Sequence, residues 1–140
     1  MADRRIATIA LIVRDYDEAI AWYVRCLDFA VIADADLGGG KRWVLVAPAR
    51  DAATPLLLAQ ATTPGQAARI GDQTGGRVFL FLHTDDFARD HARMLAQGVK
   101  FLEAPRHETY GTVAVFEDLY GNKWDLLQPQ SRLPRQSAEA

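Results

Sequence analysis

Cysteine and histidine are scarce in this chain of 140 residues, which has one cysteine, Cys26, and three histidines. A single cysteine excludes an internal disulfide and any metal centre built from several thiolates. We expect Cys26 to be a buried and inert thiol, because a free cysteine packs as a small hydrophobic side chain. The histidines are therefore the natural place to look for a metal site or a proton-transfer site.

Long apolar runs and an excess of one charge are also absent. The apolar run that follows Arg5 has only about eight residues, whereas a membrane-spanning helix needs about 20. The run lacks the cleavage pattern of a signal peptide, so we expect a cytoplasmic protein. A net charge of -2 without a basic run gives no reason to bind nucleic acid or an anionic membrane.

What the chain does contain is the composition of a folded domain, with 49% hydrophobic and 24% charged residues. These fractions are typical of soluble globular proteins. A chain of this length buries about two-thirds of its unfolded surface when it folds. We expect one domain without stabilising staples.

The first half of the chain alternates between strand and helix patterns. A β-branched run is followed by Asp15 and Asp17, either of which can cap a helix, and then by helical spacing of apolar residues. Gly38, Gly39 and Gly40 indicate a hairpin turn between two later strands. The predicted elements are a strand at 6–13, a helix from Tyr16 to Leu27, and strands at 29–35, 42–47 and 56–59.

The same order returns after a segment at 62–76 that is rich in Thr, Gly, Pro and Gln and has no apolar periodicity. Asp86 is predicted to cap the second helix, and Gly98 and Asp28 to adopt left-handed backbone where the two helices end. The elements predicted here are strands at 77–84, 99–102, 112–116 and 123–127 and a helix at 87–97.

This repeat divides the chain into module one at 4–61, a linker at 62–76, module two at 77–129 and a flexible tail at 130–140. Modules of about 60 residues are too small to bury their sheets alone. We therefore expect the modules to pack together or to exchange with a second chain, and a homodimer is the predicted assembly.

Several motifs, taken in order, resemble the vicinal oxygen chelate superfamily of glyoxalases, bleomycin resistance proteins and extradiol dioxygenases. They are VRD at 13–15, WY at 22–23, LDF at 27–29, QGV at 97–99 and VFEDLYGNKWDL at 115–126. The resemblance implies an α+β fold of two tandem βαβββ modules, whose curved mixed β-sheet forms a cup with flanking helices. Asp28 and Leu119 stand where the family usually has Gly and Pro, departures that loosen two turns without undermining the fold.

The resemblance also implies where a metal would bind. In metal-binding members the ligands come from four strands, and the matching positions here are Thr8, residues 56–59, Phe79 and Asp125. Only Asp125 could coordinate a metal, whereas a catalytic divalent ion needs about three protein ligands. We expect no metal at these positions and no other cofactor.

Three residues are candidates for catalysis: His83, Asp125 and Glu117. His83 shares a strand face with Phe79 and Phe81, which by resemblance faces the cavity, and its imidazole could transfer protons. It could equally satisfy one hydrogen bond at a strand end. Asp125 could act as a general base or form an ion pair with Arg42 or Arg106 that orders the sheet, and Glu117 could simply face water.

Ligand contacts are predicted from aromatic and cationic side chains in the cup wall and its rim. Arginine can bind an acidic group bidentately and tryptophan can stack on a planar ring, although both are also ordinary packing residues. The residues predicted to contact a ligand are Arg42, Trp43, Phe79, Phe81, Arg106, Tyr110 and Phe116.

Two functions remain open from the sequence. The first is a small-molecule-binding protein with an aromatic, metal-free cup. The second is an enzyme of the same superfamily, with lyase, isomerase or dioxygenase-like chemistry, that uses His83 with Asp125 or Glu117, with or without a divalent metal. Both predict a small-molecule ligand and a homodimer, and neither predicts nucleic acid or a membrane as a partner.

Overall fold

The structure is a computed structural model that describes residues 2–130. It contains two compact units that divide after Gln73. Each unit holds one βαβββ module, so the fold is α+β as predicted. The first unit contains β1 (Ile9–Val13), α1 (Tyr16–Leu27), β2 (Ala30–Gly38), β3 (Lys41–Ala47), β4 (Leu56–Gln60) and α2 (Pro64–Ala67). The second contains β5 (Val78–His83), α3 (Phe87–Ala96), β6 (Lys100–Phe101), β7 (Arg106–Glu108), β8 (Gly111–Glu117) and β9 (Lys123–Pro129).

The first unit is a four-stranded mixed sheet in the order β1-β4-β3-β2, with β1 parallel to β4. Alternation along the strands places one set of apolar side chains on the face that α1 covers. These side chains are almost completely buried, and they are Leu11, Val13, Val44, Val46, Leu56 and Leu58. Strand β1 starts at Ile9 and not at Ile6, because its partner strand begins at Leu56, opposite Ile9.

Helix α1 begins and ends where the sequence predicts. Asp15 is the N-cap and accepts a hydrogen bond from the Glu18 N–H at 2.8 Å. Asp17, the other candidate for the cap, forms an ion pair with Arg42 instead. The helix ends at Asp28, which has left-handed backbone with φ of 58°. Cys26 lies buried on the inner face of this helix, as expected. In the second unit Asp86 caps α3, and Gly98 after it has φ of 85°.

The second unit is a mixed sheet in the order β5-β9-β8-β6, with β7 paired to the first half of β8. One face carries an aromatic cluster in which His91 of α3 stacks on Phe87 and meets the edge of Phe101. Strand β7 is a correction to the sequence analysis, which predicts no strand between 102 and 112. Its three residues pair with Gly111, Thr112 and Val113.

The segment predicted as an unstructured linker is partly ordered into the first unit. Thr63 caps the short helix α2, accepting a hydrogen bond from the Gln66 N–H at 3.1 Å. Further on, the Gln73 side chain bonds to the backbone of β1. These bonds come from single capping and amide side chains, which apolar periodicity does not reveal. The predicted tail lies, after Gln130, outside the described residues.

Among residues 2–130, no helix combines the length and the apolar character that crossing a membrane requires.

Candidate functional site

A cleft of about 680 Å³ opens in the first unit, where β1 and β4 end and β3 begins. Its size lies within the range of about 300 to 1,000 Å³ that small-molecule sites occupy. The side chains around it are largely apolar, with a few amide and hydroxyl groups from the segment after β4. The cleft is lined by Ile12, Tyr16, Leu37, Gly39, Gly40, Lys41, Arg42, Trp43, Leu57, Leu58, Ala59, Gln60, Thr62 and Gln66.

Trp43 is the large aromatic side chain of this cleft. It lies opposite Ala35 of β2, on the sheet face that α1 does not cover, and remains 40% exposed. Strand alternation places Lys41 on the same face, two residues earlier at the start of β3. An exposed indole beside small and aliphatic side chains offers a flat surface on which a planar ring can stack.

Arg42 points to the opposite face, although it also borders the cleft. Its guanidinium is 2.9 Å from Asp17 Oδ1 and 2.8 Å from Asp34 Oδ2, and it lies over the Tyr16 ring at 5.1 Å. The hydrogen bond from Arg42 holds the pKa of Asp34 below its ordinary value, and the two carboxylates raise the pKa of Arg42. The predicted ligand-binding arginine therefore already has two carboxylate partners within the unit.

In the second unit, the predicted residues His83, Phe81 and Asp125 share one sheet face. Phe81 pairs with Asp125 and His83 with Leu127, so the imidazole and the carboxylate are diagonal neighbours across two parallel strands. Phe81 is 60% exposed, and His83 is exposed beside it. Phe79 lies at a bulge of β5 and is half-buried. The structure thus brings together the predicted proton-transfer pair and one predicted aromatic contact.

Asp125 is the most perturbed carboxyl of this face. Its Oδ1 is buried without a hydrogen-bond partner among the described residues, although the residue as a whole is partly exposed. Burial raises the pKa of Asp125, the positive charge of Arg106 lowers it, and the negative charge of Glu103 raises it further. A carboxyl in this setting holds a proton more tightly than an exposed one, as a general acid or base requires.

Within the part of the chain that the structure describes, Asp125 forms neither of the ion pairs, with Arg42 or with Arg106, that the sequence offered as alternatives. Arg106 bonds instead to Glu103 at 3.0 Å and to Glu108 at 2.7 Å, and acts on Asp125 only through space. Register explains this, because Arg106 in β7 pairs with Val113 of β8, whereas Asp125 pairs with Val115.

The remaining predicted residues are dispersed. Glu117 lies 3.7 Å from the Lys100 ammonium, in an ion pair that spans two strands. Tyr110 is exposed in the turn between β7 and β8. Phe116 is fully buried, stacked on Trp124 with ring centroids 5.9 Å apart, so the structure places it in the core and not at a ligand surface. It alternates with Val115 and thus faces the opposite side of the sheet from Asp125.

The residues at the family's metal positions do not fit a divalent ion. Phe79 offers no donor atom, the side chains from Leu56 to Ala59 are aliphatic, and Asp125 is the one carboxylate. Over the part of the chain that the structure describes, no group of three or more His, Cys, Asp and Glu side chains converges. We therefore derive no chemistry through a metal.

Of the residues that line the cleft, the sequence predicts Arg42 and Trp43 and misses the others, among them Lys41 and Gln66. Lys41 could have been found by stepping two residues back from Trp43 along the predicted strand, because side chains two apart share a face. Gln66 left no such signal. It reaches the cleft from α2, and its Oε1 accepts a hydrogen bond from the Thr62 N–H at 2.8 Å.

Comparison with known proteins agrees with the observed fold. The family model of the Glyoxalase/Bleomycin resistance protein/Dioxygenase superfamily matches residues 5–126. An uncharacterized protein of Shewanella frigidimarina (strain NCIMB 400) is 55% identical over 92% of this chain and 96% of its own length.

Two solved structures resemble the chain closely. The crystal structure of UcmS2 has a TM-score of 0.78 at 27% identity and covers 90% of this chain and 98% of its own. The crystal structure of TnmS3, an antibiotic binding protein from Streptomyces sp. CB03234, has a TM-score of 0.74 at 32% identity. It covers 93% of this chain and 99% of its own. With two βαβββ modules and a family match along nearly its whole length, the chain belongs to the glyoxalase, bleomycin resistance protein and dioxygenase superfamily.

Proposed function

We propose that this protein binds a planar aromatic small molecule, without a metal, in the cleft of its first unit. The observation that carries the proposal is Trp43, 40% exposed in a cleft of about 680 Å³. An exposed indole among aliphatic side chains gains most from a ring that stacks on it and displaces water. Leu57 and Ala59 also line the cleft, and strand alternation places them on the same sheet face as Trp43.

The chemistry of the lining favours binding over turnover. Among the described residues that line this cleft, none is Asp, Glu, His or Cys, and the groups that could take part in proton transfer or nucleophilic attack are Tyr16, Lys41 and Thr62. TnmS3, 32% identical to this chain, is an antibiotic binding protein, which supports the same kind of role. A ligand held here would be sequestered chemically unchanged.

Calorimetric titration with a neutral bicyclic probe, 2-naphthalenemethanol, tests the proposal. Trp43→Ala should weaken binding at least tenfold, because it removes both the stacked ring and most of the apolar contact area. Trp43→Phe, which keeps an aromatic face, should stay within about threefold of the unchanged protein. Trp43 is exposed enough for both variants to fold, and their circular dichroism spectra should coincide.

His83→Ala is the matched control in the second unit. Binding of the probe should be unchanged in this variant, because His83 is not among the residues that line the cleft. Equal affinity of Trp43→Ala and the unchanged protein would refute the proposal. Loss of probe binding in His83→Ala would place the ligand elsewhere.

A second candidate function is an enzyme that transfers protons with His83 and Asp125. The observation in its favour is the buried, unpaired Oδ1 of Asp125 on the same face as the exposed His83 imidazole. Glu117 is a weaker partner, because it already pairs with Lys100. Turnover of any bound compound that His83→Ala and Asp125→Asn both abolish, and Trp43→Ala does not, would select this candidate.

The proposal also covers the oligomeric state of the protein and its location in the cell. We expect a cytoplasmic homodimer, since a module of about 60 residues buries too little of its sheet alone. Light scattering on the eluting protein should give the mass of two chains.

A further inference from the structure

We propose that the cleft selects planar aromatic molecules that carry an anionic group, with Lys41 as the counter-ion. This inference rests on the proposed function, because it assigns a ligand class to the same cleft. It concerns a residue that neither the sequence motifs nor the family match assigns. The charged side chains of the β2–β3 hairpin lie on different faces of the sheet.

Lys41 and Trp43 share the face that carries the cleft. They are two residues apart in β3, and a rise of about 3.4 Å per residue separates their backbones by about 7 Å. Both line the cleft, and the Gly39 and Gly40 beside them in the hairpin carry no side chain that would cover Lys41. A ring stacked on Trp43 can therefore direct a substituent on its edge toward the Lys41 ammonium.

The positive charge of Lys41 is available to a ligand. Within residues 2–130, its ammonium forms no ion pair, whereas neighbouring Arg42 pairs with Asp17 and Asp34 on the other face. Asp36 lies opposite Arg42 and shares that face, where its Oδ1 accepts a hydrogen bond from the Gly38 N–H at 2.8 Å. The three carboxylates of this region thus lie across the sheet from Lys41.

Because none of the described lining residues is acidic, the cleft should favour a negatively charged ligand over a positively charged one. A cationic ligand would find no carboxylate there and would meet Lys41 at short range. An anionic ligand gains a charge-assisted hydrogen bond, which is stronger than a neutral one. Arg42, the other cation of the lining, is already paired with Asp17 and Asp34, so the site discriminates by charge through Lys41, while stacking on Trp43 is indifferent to charge.

Three probes of one shape and different charge test this inference by equilibrium dialysis at pH 7. They are 2-naphthoate, 2-naphthalenemethanol and 2-naphthylmethylammonium. We expect 2-naphthoate to bind about threefold to fivefold more tightly than the neutral alcohol, the range of a partly exposed ion pair. The ammonium probe should bind more weakly than the alcohol. Raising the salt to 0.5 M should shrink the differences, because salt screens exposed charges.

Substitutions at Lys41 test whether this residue causes the preference for 2-naphthoate. Lys41→Met should remove the preference for 2-naphthoate over the alcohol, because it removes the charge while the methionine keeps the apolar stem of the side chain. Lys41→Arg should retain the preference. Lys100→Met is the matched control, since it removes a lysine of the second unit that pairs with Glu117, and the preference should persist there.

The results separate this inference from the proposed function. If the three probes bind equally, or if Lys41→Met keeps the preference for 2-naphthoate, the charge selectivity is overturned while the cleft remains a binding site. If none of the probes binds, or Trp43→Ala binds all of them as tightly as the unchanged protein, the proposed function fails and this inference fails with it.

Discussion

Ile12 and Gln73 are joined by a hydrogen bond from the Ile12 backbone N–H to Gln73 Oε1, 3.0 Å long. The same side chain donates from Nε2 to the carbonyl oxygen of Ala10 at 2.6 Å. One glutamine amide therefore pairs with an edge strand as a neighbouring strand would, satisfying one donor and one acceptor of β1. Since Ile12 lines the cleft, this bond also holds the end of the connecting segment beside the site.

Gln73→Ala should lower the free energy of unfolding of the protein by about 1 to 2 kcal/mol, the sum of two modest hydrogen bonds. Gln73→Glu should lower it at least as much at pH 7, because a carboxylate cannot donate to the Ala10 carbonyl and repels it. Urea denaturation measures both. Unchanged midpoints in both variants would show that water replaces the amide without loss.

The two long helices end in left-handed backbone on different residues, and this contrast predicts opposite effects. Gly98→Ala should reduce the free energy of unfolding by about 1 kcal/mol, because a Cβ there meets no atom within 4 Å and only the backbone is strained. Asp28→Gly should increase it by up to about 1 kcal/mol, less whatever the Asp28 side chain contributes. Thermal unfolding monitored by circular dichroism compares them. A stabilising Gly98→Ala would contradict the conformational argument.

Asp125 should make stability fall as the pH rises. Its pKa in the folded protein lies above the unfolded value, so the folded state binds more protons between the two values. The contribution of Asp125 to stability is therefore largest below the unfolded pKa of about 3.9 and declines until the pH passes the folded pKa, whereas Asp34 and Asp90, whose pKa values are lowered, act in the opposite direction. Asp125→Asn should abolish this decline and raise the melting temperature at pH 7, with the gain limited by the attraction of Arg106.

Melting temperatures of Asp125→Asn and the unchanged protein across pH 3 to 8 give the measurement. Glu117→Gln is the control. Glu117 has the Lys100 ammonium beside it, so this substitution should lower the melting temperature of the protein. A melting temperature of Asp125→Asn below that of the unchanged protein at pH 7 would show that the ionised carboxylate is stabilising.

Metal content should be far below one ion per chain. Elemental analysis of protein purified without added metal or chelator measures zinc, nickel, manganese and iron together. Asp125→Asn provides the comparison, since it removes the one carboxylate at the family's metal positions. Stoichiometric metal that Asp125→Asn abolishes would show that Asp125 recruits ligands from outside its own sheet.

Local patterns in the sequence predict most of the helices and strands. Asp15 before an amphipathic run predicts the start of α1, and the chain reversal after Leu27 requires the left-handed residue that Asp28 supplies. Both depend on atoms within one helical turn. Strand β7 was missed because three residues beside a proline carry no periodicity, and only pairing with β8 makes them a strand.

The candidate site depended more on strand register. Arg42 and Trp43 are adjacent and both were predicted to meet a ligand, yet alternation sends them to opposite faces. The sequence predicts Phe116 as an aromatic residue of the cavity, but its pairing with Trp124 places it in the core. A sequence shows that neighbours alternate, but it does not show which face will be covered by a helix.

The sequence by itself determined the repeated order of strand and helix patterns and the ends of both long helices. Those features follow from residue type and short-range spacing. Only the tertiary structure decided that Arg42 pairs with Asp17 and Asp34, that the Gln73 side chain bonds to β1, and that Asp125 Oδ1 has no hydrogen-bond partner among the described residues. Each of these depends on contacts between residues distant in the chain, whose register and burial no local pattern specifies.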